Sequence, residues 1–528
     1  MKQSKNLRKS QLKLHNQLLW WSAAFVAIWV ISGICHPLMS WFGPKQVAFK
    51  PPVFESESLS SQSLEAISNI IVKTENSQWM HGKELRVAKV VPSANAPLLQ
   101  LTITGENAPE TNPIRQYFDL DTQQRVDLQD EAQARWLASH YTGRSQGDIV
   151  NIEKKTEFDE GYPWVNRLLP VYVVTFQGDD KLTAYVHTET MALASLTNET
   201  KSFIQWVFQV LHTFNIFDAQ DNLRVAGVFL AMLCLTGMSI SGLFLIMLIK
   251  SRKIKQGERR WHRRLSYVVV VPLFAWSVTG AYHLVQMAYV ESAAGMRLAK
   301  PLEVDSALLD QVPDSQGFND SLSGLPINAI SLVQLDSETL KYRVSVANQL
   351  PEQGMNDQQK LEKKYQGRST EYTSLYFDVG SQMKVGDRGE DRRRAVELAL
   401  QFSGETSDSV ISVDRVTHFG PDYDFRNKRL PVWKIALGNE DKSVLFIDPT
   451  TGILVDQTHW LDRPERWAFS TLHKWNFLIP VMGRFNRDVL VVTVSVMTLC
   501  LTFMGVLMAL KRRSRLREKE TSKGLAVS

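Results

Sequence analysis

Four stretches free of Lys, Arg, Asp and Glu, at about 16–44, 225–249, 265–290 and 489–510, decide what this chain can become. An α-helix rises about 1.5 Å per residue, so about 20 apolar residues cross the roughly 30 Å of bilayer hydrocarbon. Each stretch is long enough. The first follows a basic N-terminus, yet it is too long for a signal core and ends in Cys35-His36-Pro37-Leu38-Met39 without a small-x-small cleavage site. It reads as an uncleaved anchor. The expected fold class is an α+β membrane protein with four transmembrane helices and two large extracytoplasmic segments.

Charge supplies an orientation. Lys+Arg number 60 and Asp+Glu 55, a net +5, and the basic residues crowd beside the apolar stretches. Lys2, Lys5, Arg8, Lys9 and Lys13 precede the first; Lys250, Arg252, Lys253, Lys255, Arg259, Arg260, Arg263 and Arg264 separate the second and third. Lys511, Arg512, Arg513, Arg515, Arg517, Lys519 and Lys523 follow the fourth. Lys and Arg in short loops resist translocation, so both termini are expected in the cytoplasm, with the two long segments outside it. The expected division is a cytoplasmic N-terminus (1–16), spans at 17–41, 222–249, 265–290 and 487–510, and external domains at 42–200 and 291–460. Interfacial segments at 201–221 and 461–486, a cytoplasmic loop at 250–264 and a cytoplasmic tail at 511–528 complete it. Each external segment is long enough for its own core. The three cysteines, Cys35, Cys234 and Cys500, all fall in apolar stretches, so no disulfide framework or Cys metal cluster is implied.

Self-similarity organises the rest. Asn166-Arg-Leu-Leu-Pro-Val-Tyr172 recurs as Asn427-Lys-Arg-Leu-Pro-Val-Trp433, and Leu211-His212-Thr-Phe-Asn215 recurs as Leu472-His473-Lys-Trp-Asn476. The first span matches the third, with His15 on His262, Ser32-Gly33 on Thr279-Gly280 and His36 on His283. An internal duplication with a pseudo-twofold axis along the membrane normal is expected. Within the second external segment, Pro431–Leu437 and Ser443–Ile447 alternate as strands, the Asp448-Pro-Thr-Thr-Gly452 turn leads to a third, and a helix from a candidate N-cap at Asp391 stops at Gly404. In the first half the turn has become His187-Thr-Glu-Thr-Met191, where a different geometry is expected.

The repeat also sorts the 11 histidines. His15 pairs with His262, His36 with His283 and His212 with His473, all beside or inside the membrane. External His140, His187, His418 and His459 face Gln401, Asp448, Glu157 and Asn198 instead. Ionisable residues in hydrocarbon are costly enough to be functional candidates, and two imidazoles complete the coordination of a porphyrin iron. His15 and His36 stand about 31 Å and about 60° apart on a straight helix, at opposite membrane surfaces. One metal cannot join them, but two stacked cofactors could each be held across the axis. His15 with His262 is assigned to a haem on the cytoplasmic side; for the other side, His36 with His283, His212 with His473, and mixed pairs stay open. Gly33, Gly237, Gly242 and Gly280 permit close approach of helices or porphyrin, and Phe503 breaks the repeat with Gly505 two positions later.

With Leu14-His15, Trp261-His262-Arg263-Arg264, Thr279-Gly280, Leu211-His212, Leu472-His473 and the strands of 431–458 in order, the chain resembles the PepSY-associated transmembrane family over nearly its full length. The last segment resembles a PepSY domain. The resemblance implies inner-membrane ferric-siderophore reduction through b-type haem, with His15, His36, His212, His262, His283 and His473 as candidate ligands and two haems expected. A ferric siderophore or other ferric chelate, a quinol or cytoplasmic electron donor and membrane lipid are the expected partners. No nucleotide-binding fingerprint is present, and no nucleic-acid partner is expected. PepSY domains also resemble peptidase propeptides, so the alternative is a membrane-anchored regulator or binding protein without redox activity; a transporter is a third reading.

Overall fold

The structure, a computed structural model, describes residues 2–59, 62–106, 113–249, 257–290, 296–298, 300–304, 315–335, 339–348, 354–367, 369–379, 388–420 and 422–524. The loop residues Lys250, Arg252, Lys253 and Lys255, on which part of the orientation argument rests, lie outside them. The chain divides into two compact units.

One unit comprises 1–43, 200–292 and 461–528. It holds helices Lys2–Phe42, Asp221–Leu248, Gly257–Tyr289 and Ile479–Gly524, each long and apolar enough to cross a bilayer. The protein is a multi-pass membrane protein. The helices pack cyclically: the first on the second and fourth, the third on the second and fourth. Where they meet, Val26, Trp29 and Val30 pack on Ala231 and Leu235, and hydroxyl side chains line the contacts: Ser22, Ser32, Ser239, Ser241, Ser277, Thr279 and Thr498 are buried. Lipid tails are as apolar as leucine, so such bundles rely on small residues and interhelical hydrogen bonds, as between Thr236 and Ser277 at 3.1 Å. Helix Glu199–Phe208 widens into a π-turn at Gln209–Thr213 before the second span, and helix Asp462–Ala468 into one at Phe469–His473 before the fourth. Phe214 and Trp475 then take left-handed φ of 55° and redirect the chain into each span.

The other unit comprises 44–199 and 293–460. The sequence suggests two separately cored external domains; the structure joins them. Strand Pro326–Leu335 pairs antiparallel with Lys83–Val91, giving one sheet in the order Glu371–Asp378, Thr339–Ala347, Pro326–Leu335, Lys83–Val91, Leu98–Gly105, Ile114–Asp119, Arg125–Val126. The core under this sheet mixes both segments: Ile67, Ile71, Leu99 and Leu101 pack with Phe318, Ile330, Tyr342 and Phe377. Each segment then ends in a four-stranded antiparallel meander. The first runs Ile149–Lys155, Val171–Phe176, Thr183–His187 and Ala192–Thr197; the second runs Val410–Val416, Val432–Leu437, Val444–Ile447 and Leu454–Thr458.

The expected strands of the second meander are present, and its helix, Arg388–Ser403, ends at Gly404 in the left-handed region. Asp391 is not its N-cap. It is buried within the first turn, where it accepts from Arg343 Nε at 2.7 Å, Tyr376 OH at 2.6 Å and Trp433 Nε1 at 3.2 Å. The fully buried Arg343 guanidinium requires a carboxylate, and that demand outweighs capping. The two turns also agree more closely than their sequences: Met191 takes a left-handed φ of 54° where Gly452 takes 72°.

Arg429 bridges the two segments, donating to Glu189 Oε1 at 3.2 Å and Asp448 Oδ2 at 2.8 Å with all three nearly buried. Removing one partner of a buried ion pair strands the others, at about 3–5 kcal/mol. Arg429→Met is therefore expected to lower stability by that amount in denaturant unfolding, whereas Arg125→Gln, which breaks the exposed Arg125–Asp127 pair, changes it by under about 1 kcal/mol.

Candidate functional site

All six histidines singled out by the repeat lie in the membrane unit. His15 and His36 are carried by the first helix and His262 and His283 by the third, while His212 and His473 sit in the two π-turns. The structure sorts them into two levels.

At one level His15 and His262 are electrostatic neighbours. They come from the first and third helices, each of which packs on the second and the fourth. His15 Nδ1 lies 3.0 Å from Ser241 Oγ, and that hydroxyl donates to Met238 O at 2.9 Å. A carbonyl only accepts, so we assign the serine proton to the backbone, the usual back-bond of a helical serine. Its lone pairs then accept from the ring, Nδ1 of His15 carries the hydrogen, and Nε2 keeps a free lone pair. His262 is supported differently: its Nδ1 is buried with no hydrogen-bond partner among the described residues.

At the other level the same device appears twice. His212 Nδ1 lies 3.0 Å from Ser32 Oγ, which donates to Trp29 O at 3.3 Å. His473 Nδ1 lies 3.1 Å from Thr279 Oγ1, which donates to Ala275 O at 2.6 Å. The Trp29 and Trp276 indoles donate to the backbone carbonyls of His212 and His473, at 3.2 and 3.1 Å, and fasten each π-turn to a membrane helix. His212 and His473 are electrostatic neighbours. Burial lowers both imidazoles, His212 to about 4 and His473 to about 3, so both rings are neutral at neutral pH.

Glycine lies against each of these four rings. A Cβ built on Gly33 would stand 3.7 Å from His212 Cε1, on Gly280 3.8 Å from His473 Cε1, on Gly242 3.9 Å from His15 Cε1 and on Gly505 3.5 Å from His262 Cε1. Gly505 thus does beside His262 what Gly242 does beside His15, which explains the displaced glycine of the fourth span. Gly237 instead abuts Leu18, 3.2 Å from its built Cβ.

His36 and His283 stand one ring further away. Phe208 stacks on His212 at 4.7 Å and meets His36 edge-on at 6.2 Å; Phe469 stacks on His473 at 4.6 Å and on His283 at 4.0 Å. His283 Nδ1 also meets the buried Glu465 carboxylate at 2.6 Å. Sequence reading singles out the six rings and, as repeat partners, Ser32 and Thr279, but not Ser241, Trp29, Trp276 or Glu465.

Replacing Thr279 by Val removes the hydroxyl that accepts from His473 Nδ1–H, at about 1–3 kcal/mol. Thermal unfolding of purified Thr279→Val is expected to show that loss, and Thr279→Ser is expected to recover most of it.

Comparison with curated proteins gives no match. The model of the PepSY-associated TM region matches residues 68–420, a stretch that contains the second and third spans, His212, His262 and His283. The chain belongs to the PepSY-associated transmembrane family.

Proposed function

We propose that this protein is a di-haem electron-transfer protein of the bacterial inner membrane, reducing a ferric siderophore or other ferric chelate on the periplasmic side. The observation that carries the reading is the four-fold recurrence of a half-buried imidazole beside a glycine, on elements from both halves of the bundle. Three of these rings have Nδ1 committed to a hydroxyl and Nε2 left as a donor atom. Ligating histidines are held this way, with the second nitrogen bonded so that tautomer and ring orientation are set. The fourth, His262, has no hydroxyl on its Nδ1 among the described residues, and its ring lies by the Leu501 backbone. Among the described residues no three His, Cys, Asp or Glu converge on one ion; a pair of facing imidazoles instead suits the two axial positions of a porphyrin iron.

On this reading His15 and His262 hold one b-type haem and His212 and His473 the other, with His36 and His283 outside the ligand set. Bound haem supplies one-electron carriers at two depths of the bilayer. Ser241, Ser32 and Thr279 set the ligand tautomers, and Gly242, Gly505, Gly33 and Gly280 leave room for the flat rings. The electron donor is a quinol or a cytoplasmic reductant, because the sequence carries no nucleotide-binding fingerprint of its own. The matched features of the halves support an ancestral duplication about a pseudo-twofold axis: paired π-turns, left-handed Phe214 and Trp475, cis peptides before Pro170 and Pro431, and Tyr162 and Tyr423 hydroxyls donating to Leu168 and Arg429 carbonyls, both at 2.9 Å. The basic flanks of the spans support cytoplasmic termini and periplasmic 44–199 and 293–460.

Protein purified from iron-replete cells is expected to show a Soret band, a dithionite-sharpened α-band and two haems per chain. His262→Ala and His473→Ala each lose one haem, and His36→Ala keeps both. A colourless wild-type protein, or full haem content in both alanine variants at the paired positions, refutes the assignment.

A further inference from the structure

The first and fourth helices meet at the end of the bundle where the chain begins and ends. Trp41 packs on Phe485 at 5.6 Å, and a Cβ built on Gly505 would stand 3.5 Å from Leu19 Cδ1, so the two helices run antiparallel. Lys13 lies six residues before Leu19 and Lys511 six after Gly505, about 9 Å further along each axis. The basic residues of both helices therefore reach the same depth. Lys9, Lys13 and Trp20 fall within about 40° of one another at 100° per residue, on one face of the first helix. From the fourth helix Arg513 lays its guanidinium over the Trp20 ring, 4.7 Å from the centroid. Lys9, Lys13, Trp20, Arg512 and Arg513 are all exposed. The first helix carries no Asp or Glu, and neither does 489–517 of the fourth.

The chain's own acidic residues do not answer these charges. The segments 1–16, 250–264 and 511–528 set all the basic residues that flank the spans against Glu258, Glu518 and Glu520 alone. Glu258 accepts from Lys511, and Glu518 accepts from Ser514 at 3.2 Å. The junction also lies where a span leaves hydrocarbon, since the fourth helix is apolar up to Leu510 and basic from Lys511. The anion that this depth supplies is a lipid phosphate, and basic side chains at the end of a membrane helix attract anionic lipid. We propose that Trp20 and Arg513, with Lys9, Lys13 and Arg512, form a binding site for the phosphate of an anionic phospholipid at the junction of the first and fourth helices. The indole belongs at headgroup level and holds the guanidinium by its face, which leaves the guanidinium fork for two phosphate oxygens. The lysines add point charges at the same depth. The inference is independent of the haem reading.

The test titrates full-length protein in neutral detergent with phosphatidylglycerol or phosphatidylcholine and counts bound lipid by native mass spectrometry. Wild type is expected to bind phosphatidylglycerol about tenfold or more tightly than phosphatidylcholine. Arg513→Gln is expected to weaken phosphatidylglycerol about fivefold, and Arg513→Gln with Lys13→Gln about thirtyfold, as the contribution of each cation near an anionic headgroup implies. Trp20→Leu keeps every charge and is expected to cost about threefold, because the guanidinium loses its platform. Arg513→Lys is expected to bind better than Arg513→Gln. Arg260→Gln removes one equally exposed charge from the third helix and is expected to bind like wild type. Thermal unfolding of each variant in phosphatidylcholine, expected to match wild type, separates loss of the site from loss of the fold. Equal affinity for the two lipids overturns the inference. So does an Arg260→Gln loss as large as that of Arg513→Gln, which would make the attraction a diffuse one. Displacement of the lipid by inorganic phosphate at equal concentration would make this a free-anion site and likewise overturns it.

Discussion

A polar ring inside a bilayer must find its hydrogen bonds within the protein, because hydrocarbon offers none. This constraint shapes the membrane unit. Each imidazole of the two central pairs needs a partner that a helix can supply without breaking, and a helical Ser or Thr is the cheapest. Its proton is already given to a carbonyl one turn back, so its oxygen can only accept from the ring. Ser241, Ser32 and Thr279 solve the same problem three times, and in doing so leave one nitrogen of each ring with a free lone pair. The glycines follow from the same economy. A Cβ at any of the four would already be in van der Waals contact with its ring, so glycine leaves free the space that a larger side chain would take.

The π-turns extend this logic. A wider turn places His212 and His473 at the head of the second and fourth spans, aimed at the first and third. Trp29 and Trp276 then tie down the carbonyls of those same residues. Local backbone distortion, indole hydrogen bond and hydroxyl partner thus converge on one side chain in each half. Ordinary helix packing does not require that convergence, since either span could reach its neighbour through apolar contacts alone.

The four spans, their order and the six rings were legible in the sequence because they rest on composition and on short-range repetition, which need no knowledge of neighbours. The pairing of Lys83–Val91 with Pro326–Leu335 was not. Period-two alternation shows that a segment is a strand but not which remote strand it meets, so two segments that read as independent became one sheet. Asp391 misled for a related reason: an acidic residue at a helix start reads as a cap, and only the buried Arg343 on a distant strand shows its other employment. The hydroxyl partners were half-legible. Ser32 and Thr279 recur together, but their value depends on facing His212 and His473, residues far away in sequence.

The halves match where rings are oriented and diverge where charge is placed. His15 meets the Ser241 hydroxyl whereas His262 lies by the Leu501 backbone; Glu465 meets His283, whereas the corresponding position before the second span is Ile204; and Arg484 stands opposite Asp221. On the haem reading these departures give the two sites unequal potentials. Gaining an electron lowers the positive charge of a haem, so buried cations near one site stabilise its reduced form. The basic residues near His15 and His262 are largely exposed and screened by salt within about 10 Å. The buried Arg484 and Arg487 are not. On the haem reading the cations that act on His36 would bias the His212/His473 level, one aromatic ring away. A duplicated scaffold would by itself put two alike sites in the bilayer; the halves differ at Glu465 and Arg484, and on the haem reading that difference would make the two sites unequal.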